Sequence, residues 1–167
     1  KDKKLFVFVG RLDDDAKKVG RAILLAKEIK DIELWLVGDG PDRKQYEELI
    51  KKEKLSTRVK FLGKQKNPYP YMKLADYIIM TSDYEGFPVI YLEAITLERP
   101  IITTIDVSDD KLNMGKDYAM IISKDQKEMT KQVKEILKKT PKVNKIDIEK
   151  LQSTRMDDFE KLFDGVI

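Results

Sequence analysis

The sequence predicts an α/β fold with a doubly wound, Rossmann-like parallel sheet. Short apolar runs alternate with stretches in which apolar residues recur at three- and four-residue steps, and most of the apolar runs end on glycine or in small polar loops. A length of 167 residues suits a single domain, 1–167, with room for a proper core.

Leu5 to Val9 is a continuous apolar run closed by Gly10, the pattern of a strand buried on both faces. Val19, Ala22, Ile23, Ala26 and Ile29 then mark one face of a helix over 17–30. Ile32 to Val37 is a second strand, closed by Gly38-Asp39-Gly40-Pro41, and Asp42 is placed to cap a helix carrying Tyr46, Leu49 and Ile50. Arg58 to Leu62 is a third strand. A short helix follows from Asn67 through Ala75, with Asn67 as cap and Pro68 at its first position. Tyr77 to Met80 is the fourth strand, and Pro88 to Leu97 a helix with a proline start. Pro100 to Thr104 leads a fifth strand and Tyr118 to Ile122 makes a sixth. Met129, Val133, Ile136 and Leu137 give a further helix face that Pro141 ends, and Ile148 to Phe163 is a last helix.

Composition narrows the chemistry. A formal net charge of +3, with lysines scattered among acidic residues, does not describe a dedicated nucleic-acid binder, and Lys124 to Lys139 reads as a solvated helix face. There is no cysteine and no histidine, which removes thiolate chemistry, Ser-His-Asp catalysis and most zinc sites. No apolar run approaches the roughly 20 residues of a membrane span. Lys1-Asp2-Lys3-Lys4 runs straight into the first strand, as expected of a segment that starts at a domain boundary.

In a parallel sheet, ligands bind at the carboxyl ends of the strands. Attention therefore falls on the loops 10–17, 38–41, 63–67, 81–88 and 104–116. Arg11 and Lys17 could together hold a diphosphate with the help of a helix dipole, or they could be surface cations paired with Asp13, Asp14 and Asp15. The three aspartates themselves read as solvated residues favouring the helix start rather than as a metal site. Gly38-Asp39-Gly40-Pro41 lacks the third glycine of a dinucleotide fingerprint and reads as a tight turn with close backbone approach. Glu85 ends the loop after strand four, and Glu93 lies one and a half turns into the next helix. Gly86 permits close ligand approach, and the amides near it face an anion at a helix start. An exposed Glu85 with Glu93 in a salt bridge is the plainer alternative. Tyr69, Tyr71 and Met72 read as packing residues, with one of them as an outside candidate for a base pocket, and Trp35 as core.

Taken in order, Gly10-Arg11-Leu12 with Lys17, Val37-Gly38-Asp39-Gly40-Pro41, Phe61-Leu62-Gly63 with Asn67-Pro68-Tyr69-Pro70-Tyr71, and Tyr84-Glu85-Gly86-Phe87-Pro88 through Glu93-Ala94 resemble the glycosyltransferase group 1 family. The likeness runs from about Leu5 to Thr104 and is loose from Asp106 onward. It implies the C-terminal, donor-binding half of a GT-B fold in a retaining enzyme, with the acceptor half on an N-terminal domain outside this chain. By that resemblance, Arg11 and Lys17 (with Lys18 as fallback) neutralise the donor diphosphate, helped by amides of Gly86, Phe87 and Val89. Glu85 would contact the transferred sugar as the catalytic glutamate, Glu93 would hold the ribose, and Lys64 and Gln65 would flank the base. The donor is a nucleoside diphosphate sugar, with uridine the favoured base, and neither metal nor other cofactor is required. The family further implies surface-polysaccharide synthesis at the cytoplasmic side, with peripheral membrane association of a longer protein and a fragment that does not turn over alone. A non-catalytic nucleotide-sugar sensor and an unrelated NAD-binding domain are the competing functions. Glu98 stands where many relatives place glycine, at a helix end that favours positive φ. Ser108-Asp109-Asp110 and Asp117-Tyr118 also depart from the family pattern.

Overall fold

Strands that are apolar on both faces dictate the layering. In the computed structural model, which describes residues 3–85, 89–106 and 119–139, Phe6 and Phe8 of β1 (Lys4–Val9) join one core cluster while Val7 joins another. Side chains two apart share a face of a strand, so the two clusters are the two faces of the sheet. The first face is covered by α1 (Val19–Glu28), α2 (Arg43–Lys52) and α5 (Gln126–Lys138), through Ile23, Leu25, Tyr46, Ile50, Met129 and Val133. The second is covered by α3 (Tyr69–Leu74) and α4 (Val89–Thr96), through Met72, Tyr91, Ala94 and Ile95.

The remaining strands are β2 (Ile32–Val37), β3 (Val59–Gly63), β4 (Tyr77–Met80), β5 (Ile101–Thr103) and β6 (Ala119–Ile121). All pairings are parallel, in the order β3-β2-β1-β4-β5-β6. From β1 the chain winds outward to β2 and β3, then returns to add β4 on the other side. The boundary between β1 and β4 is thus the switch point, where a crevice opens at the carboxyl ends. Among the described residues no helix is long and apolar enough to cross a membrane.

Several boundaries differ from expectation for local reasons. α1 begins at Val19, not at residue 17, because Lys18 is left-handed (φ 48°) and Lys17 stays in the loop. Asp42 does occupy the N-cap of α2, but its side chain accepts from the amide of Asp14 at 2.7 Å and makes no cap bond. Pro68, expected at the first helical position, is instead the N-cap of α3, which starts at Tyr69, and Asn67 stands one residue before the cap with its Oδ1 accepting from the Tyr69 amide at 3.0 Å. Glu98 has φ 53°, the conformation for which its position was singled out. The guanidinium of Arg58 donates to the carbonyls of Ala26, Ile29 and Ile32, closing the C-terminal end of α1 with a cation. Trp35 is only half-buried, since its indole Nε1 donates to Glu33 at 2.9 Å at the rim of the second core. Pro88, the strand residue Tyr118, the substitutions at 108–110 and 117–118, and the helix expected over 148–163 lie outside the described residues.

Candidate functional site

Three loops meet at the β1/β4 switch point, and backbone contacts bind the first of them on two sides. The loop after β1 runs beside the turn after β2: the amide of Leu12 donates to the Asp39 carbonyl at 3.0 Å, and that of Asp42 to the Leu12 carbonyl at 3.2 Å. A Cβ at Gly38 would lie 1.8 Å from the Gly10 carbonyl oxygen, and one at Gly40 would lie 2.3 Å from that of Leu12. Gly38-Asp39-Gly40 is therefore a close-packed clasp. On its other side the loop meets the segment after β4. The Asp83 amide donates to the Ala16 carbonyl at 2.8 Å. Thr81 Oγ1 donates to the carbonyls of Lys17 and Lys18 at 3.3 and 3.0 Å.

Carboxylates brace the same loop. Asp13 Oδ1 accepts from the amides of Ala16 and Lys17 at 2.9 and 3.1 Å. Burial works to raise the Asp13 pKa, but those two amides, with Arg11 and Lys17, outweigh it and hold the acid below its usual value. Asp14 accepts from the Tyr46 hydroxyl at 3.1 Å, and burial, with the charge of Asp14, pushes that phenol well up. The expectation of three solvated aspartates is thus corrected: Asp13 and Asp14 fold the loop, and Asp15 alone is exposed. Among the described residues no group of three or more acidic side chains gathers as a metal site.

This bracing delivers Lys17 to the crevice. Its Nζ donates to both oxygens of Glu85 at 2.8 Å, in a pair whose side chains are 27% and 11% exposed. Ser82, fully buried, donates its hydroxyl to Glu85 Oε1, so the carboxylate is held from two directions. Asp83 faces the other way, accepting from Arg21 at 2.6 Å with Lys18 at 3.8 Å. The Arg21 hydrogen bond comes first among the effects that hold the Asp83 acid below its usual range. Tyr91 is buried beneath the site, and burial above all pushes its phenol well up, so it stays neutral.

The result is a cavity of ≈ 280 Å³ lined by Phe8, Val9, Lys17, Met80, Glu85, Val89, Ile90 and Glu93. Four residues singled out from the sequence (Lys17, Glu85, Val89 and Glu93) converge here, although they come from the β1–α1 loop, the β4–α4 loop and α4. Apolar side chains from the two central strands form part of the wall. A cation, two carboxylates and the first turn of a helix above such a wall can hold a phosphorylated, hydroxyl-rich ligand. Among the described residues Glu93 has no salt-bridge partner, contrary to the plainer alternative; its Oε1 accepts from the Tyr69 hydroxyl at 3.1 Å.

Other candidates are not drawn into this cavity. Arg11 is 71% exposed on its side chain, with its Nε 3.9 Å from Asp13. Lys18 turns to Asp83. Lys64 is exposed, and Gln65 donates back to the Leu62 carbonyl at 2.6 Å beyond the end of β3. Gly86 and Phe87 lie outside the described residues. Sequence reasoning passed over Ser82, Thr81 and the bond made by Tyr69. Ser82 was findable, because it lies only three residues before Glu85 in the same loop. Tyr69 carried no local signal, since Glu93 is 24 positions away.

Comparison with known proteins bears on the same residues. The family model described as Glycosyl transferases group 1 matches residues 1–151. The lipopolysaccharide core biosynthesis glycosyltransferase LpsD of Rhizobium meliloti is 36% identical over 101 residues, covering 59% of this chain and 29% of that protein. In Campylobacter jejuni, N-acetylgalactosamine-N,N'-diacetylbacillosaminyl-diphospho-undecaprenol 4-alpha-N-acetylgalactosaminyltransferase is 29% identical over 126 residues, covering 73% and 34%. The chain therefore spans about a third or less of the length of these relatives. Among solved structures, Anabaena HepE in complex with UDP superposes with a TM-score of 0.76 at 18% identity, covering 96% of this chain and 49% of that one. The sucrose-phosphate synthase of Thermosynechococcus elongatus gives 0.77 at 20%, covering 98% and 46%. At such identities the structural likeness establishes the fold, the GT-B glycosyltransferase type.

Proposed function

The chain belongs to the group 1 glycosyl transferases, and on that premise we propose that its switch-point cavity holds the nucleoside diphosphate end of a sugar donor. The observation that carries the reading is the convergence of Lys17, Glu85, Val89 and Glu93 on one cavity between β1 and β4. In this reading Lys17 and the amides at the start of α4 take the diphosphate, assisted by Arg11 from the loop edge, with no metal required. Glu85 faces the hydroxyls of the transferred sugar, and Glu93 holds the ribose. Lys64 and Gln65, with the backbone beyond β3, flank the base, for which uridine is favoured. The UDP in the HepE complex supports that choice of base.

The reaction is transfer with retention at the anomeric carbon. An acceptor hydroxyl oxygen bonds to that carbon while the bond to the β-phosphate oxygen breaks on the same face. The hydroxyl proton passes to the departing phosphate, so no protein nucleophile is needed. This chain is the donor domain, and acceptor binding belongs to an N-terminal domain of a longer protein. That protein acts in surface-polysaccharide synthesis at the cytoplasmic face, peripheral to the membrane. The names of the Rhizobium and Campylobacter relatives favour such a pathway.

Calorimetric titration with UDP, GDP, ADP and NAD tests the ligand class: a nucleoside diphosphate should bind and NAD should not. Glu85→Gln in the full-length protein tests the chemistry. Transfer should be lost with nucleotide binding kept, whereas undiminished transfer would remove Glu85 from the reaction and leave a sensing role open.

A further inference from the structure

Tyr69 opens α3 between two prolines, Pro68 and Pro70, and its amide is held by Asn67 Oδ1 at 3.0 Å. Proline fixes φ, so the residue is presented on a stiff piece of backbone. Its two helical neighbours do the packing: Met72 is fully buried, and Tyr71 stands edge-on to Trp35 with centroids 6.4 Å apart. Tyr69 is left 45% exposed, yet its hydroxyl is committed to Glu93 Oε1 at 3.1 Å. Packing does not explain that bond. Glu93 lines the cavity, and an ionised carboxylate has about four acceptor positions on two oxygens. A donor fixed on Oε1 restricts the rotation of the carboxylate and leaves Oε2 for a ligand.

We propose that Tyr69 is a positioning residue for the nucleoside end of the ligand: its hydroxyl locks Glu93 in the orientation that presents Oε2 to the ribose diol. This rests on the reading of the cavity as a nucleoside diphosphate site. The tyrosine acts through Glu93, so its effect should follow the ribose hydroxyls and not the phosphates. Holding a long carboxylate side chain in its binding rotamer before the ligand arrives lowers the ordering cost of binding.

The test is calorimetry of this chain with UDP, GDP and ADP, their 2′-deoxy counterparts and inorganic pyrophosphate. Tyr69→Phe keeps the ring and removes one hydrogen bond to a charged group, so the ribonucleotide that binds should weaken by about three- to tenfold. Its 2′-deoxy form should change much less, and pyrophosphate not at all. Glu93→Ala combined with Tyr69→Phe should be no weaker than Glu93→Ala alone, because the tyrosine then has no acceptor to orient. Equal ribonucleotide affinity in wild type and Tyr69→Phe overturns the proposal, as does an equal loss on pyrophosphate. A wild-type chain that binds none of the three nucleotides overturns the nucleotide-site reading itself, and this one with it.

Discussion

Lys17 is the one cation among the described residues that line the cavity, and it is neutralised by Glu85 at 2.8 Å. On the proposed reading an incoming diphosphate must share that cation with a carboxylate or displace it, so Glu85 would oppose the phosphates even as it served the sugar. The two substitutions therefore have opposite signs. Glu85→Gln should bind UDP and pyrophosphate no more weakly than wild type, and up to about tenfold more tightly, because Lys17 is freed. Lys17→Met should weaken both by at least about tenfold. It also strands a carboxylate only 11% exposed, at a cost of about 1–3 kcal/mol in stability. Calorimetry and urea denaturation read the two effects separately, and a Glu85→Gln variant that binds pyrophosphate more weakly would contradict this assignment of roles. The glutamates and Lys17 were legible in the sequence because each sits in a loop or helix start following an apolar strand. Their pairing was not, since 68 residues separate Lys17 from Glu85. Tyr69 was misjudged as packing for the same reason: spacing along a helix says nothing of a partner on another element.

Between elements, the geometry of the cavity depends on two joints. At the first, the turn after β2 presses against the loop after β1, and the 1.8 Å approach at Gly38 leaves no space for a side chain. Gly38→Ala should cost about 2–4 kcal/mol, from the clash and from φ +145° together. Gly63→Ala is the control: φ is +69° but a Cβ there meets nothing within 4 Å, so about 1 kcal/mol is expected. Equal losses in urea denaturation would mean that the joint yields. At the second joint, Asp83 holds the segment after β4 to α1 through Arg21 and Lys18. The folded-state acid lies below its ordinary 3.8, first because of the Arg21 hydrogen bond. The unfolded chain thus takes the proton first as pH falls, and the contribution of Asp83 is complete above about pH 4 and lost progressively below it. The stability gap between wild type and Asp83→Asn should be full at pH 7 and shrink at pH 3. A gap that persists at pH 3 would show that the charge is not what clamps the loop. The Gly-Asp-Gly turn was readable as a close approach from its composition. The displaced start of α1 was not readable, because the carbonyl of left-handed Lys18 is held by Thr81, just past the fourth strand.

Over the whole molecule, the alternation of strand and helix revealed a parallel sheet, but the order β3-β2-β1-β4-β5-β6 is set by long-range pairing that no local pattern encodes. That order matters because it makes β1 and β4 neighbours and so decides which loops face each other. The cavity lies against the ends of these two strands, through Phe8, Val9 and Met80. Its ≈ 280 Å³ falls just short of the roughly 300–1,000 Å³ of pockets that enclose small ligands. A nucleoside diphosphate sugar is too large to be enclosed there and would keep part of its surface in water. Sugar transfer needs the opposite, a closed site in which water is excluded and an acceptor hydroxyl is held against the anomeric carbon. The chain also spans about a third or less of the length of its curated relatives. The 167-residue chain should therefore bind donor weakly, releasing no sugar to acceptor and hydrolysing the donor only slowly. The same residues within the full-length protein should bind more tightly and turn over. Incubation of each with a radiolabelled UDP-sugar panel and an acceptor extract separates the cases. Efficient transfer by the short chain alone would show that this cavity is sufficient for the chemistry and that the second half of the cleft is not needed.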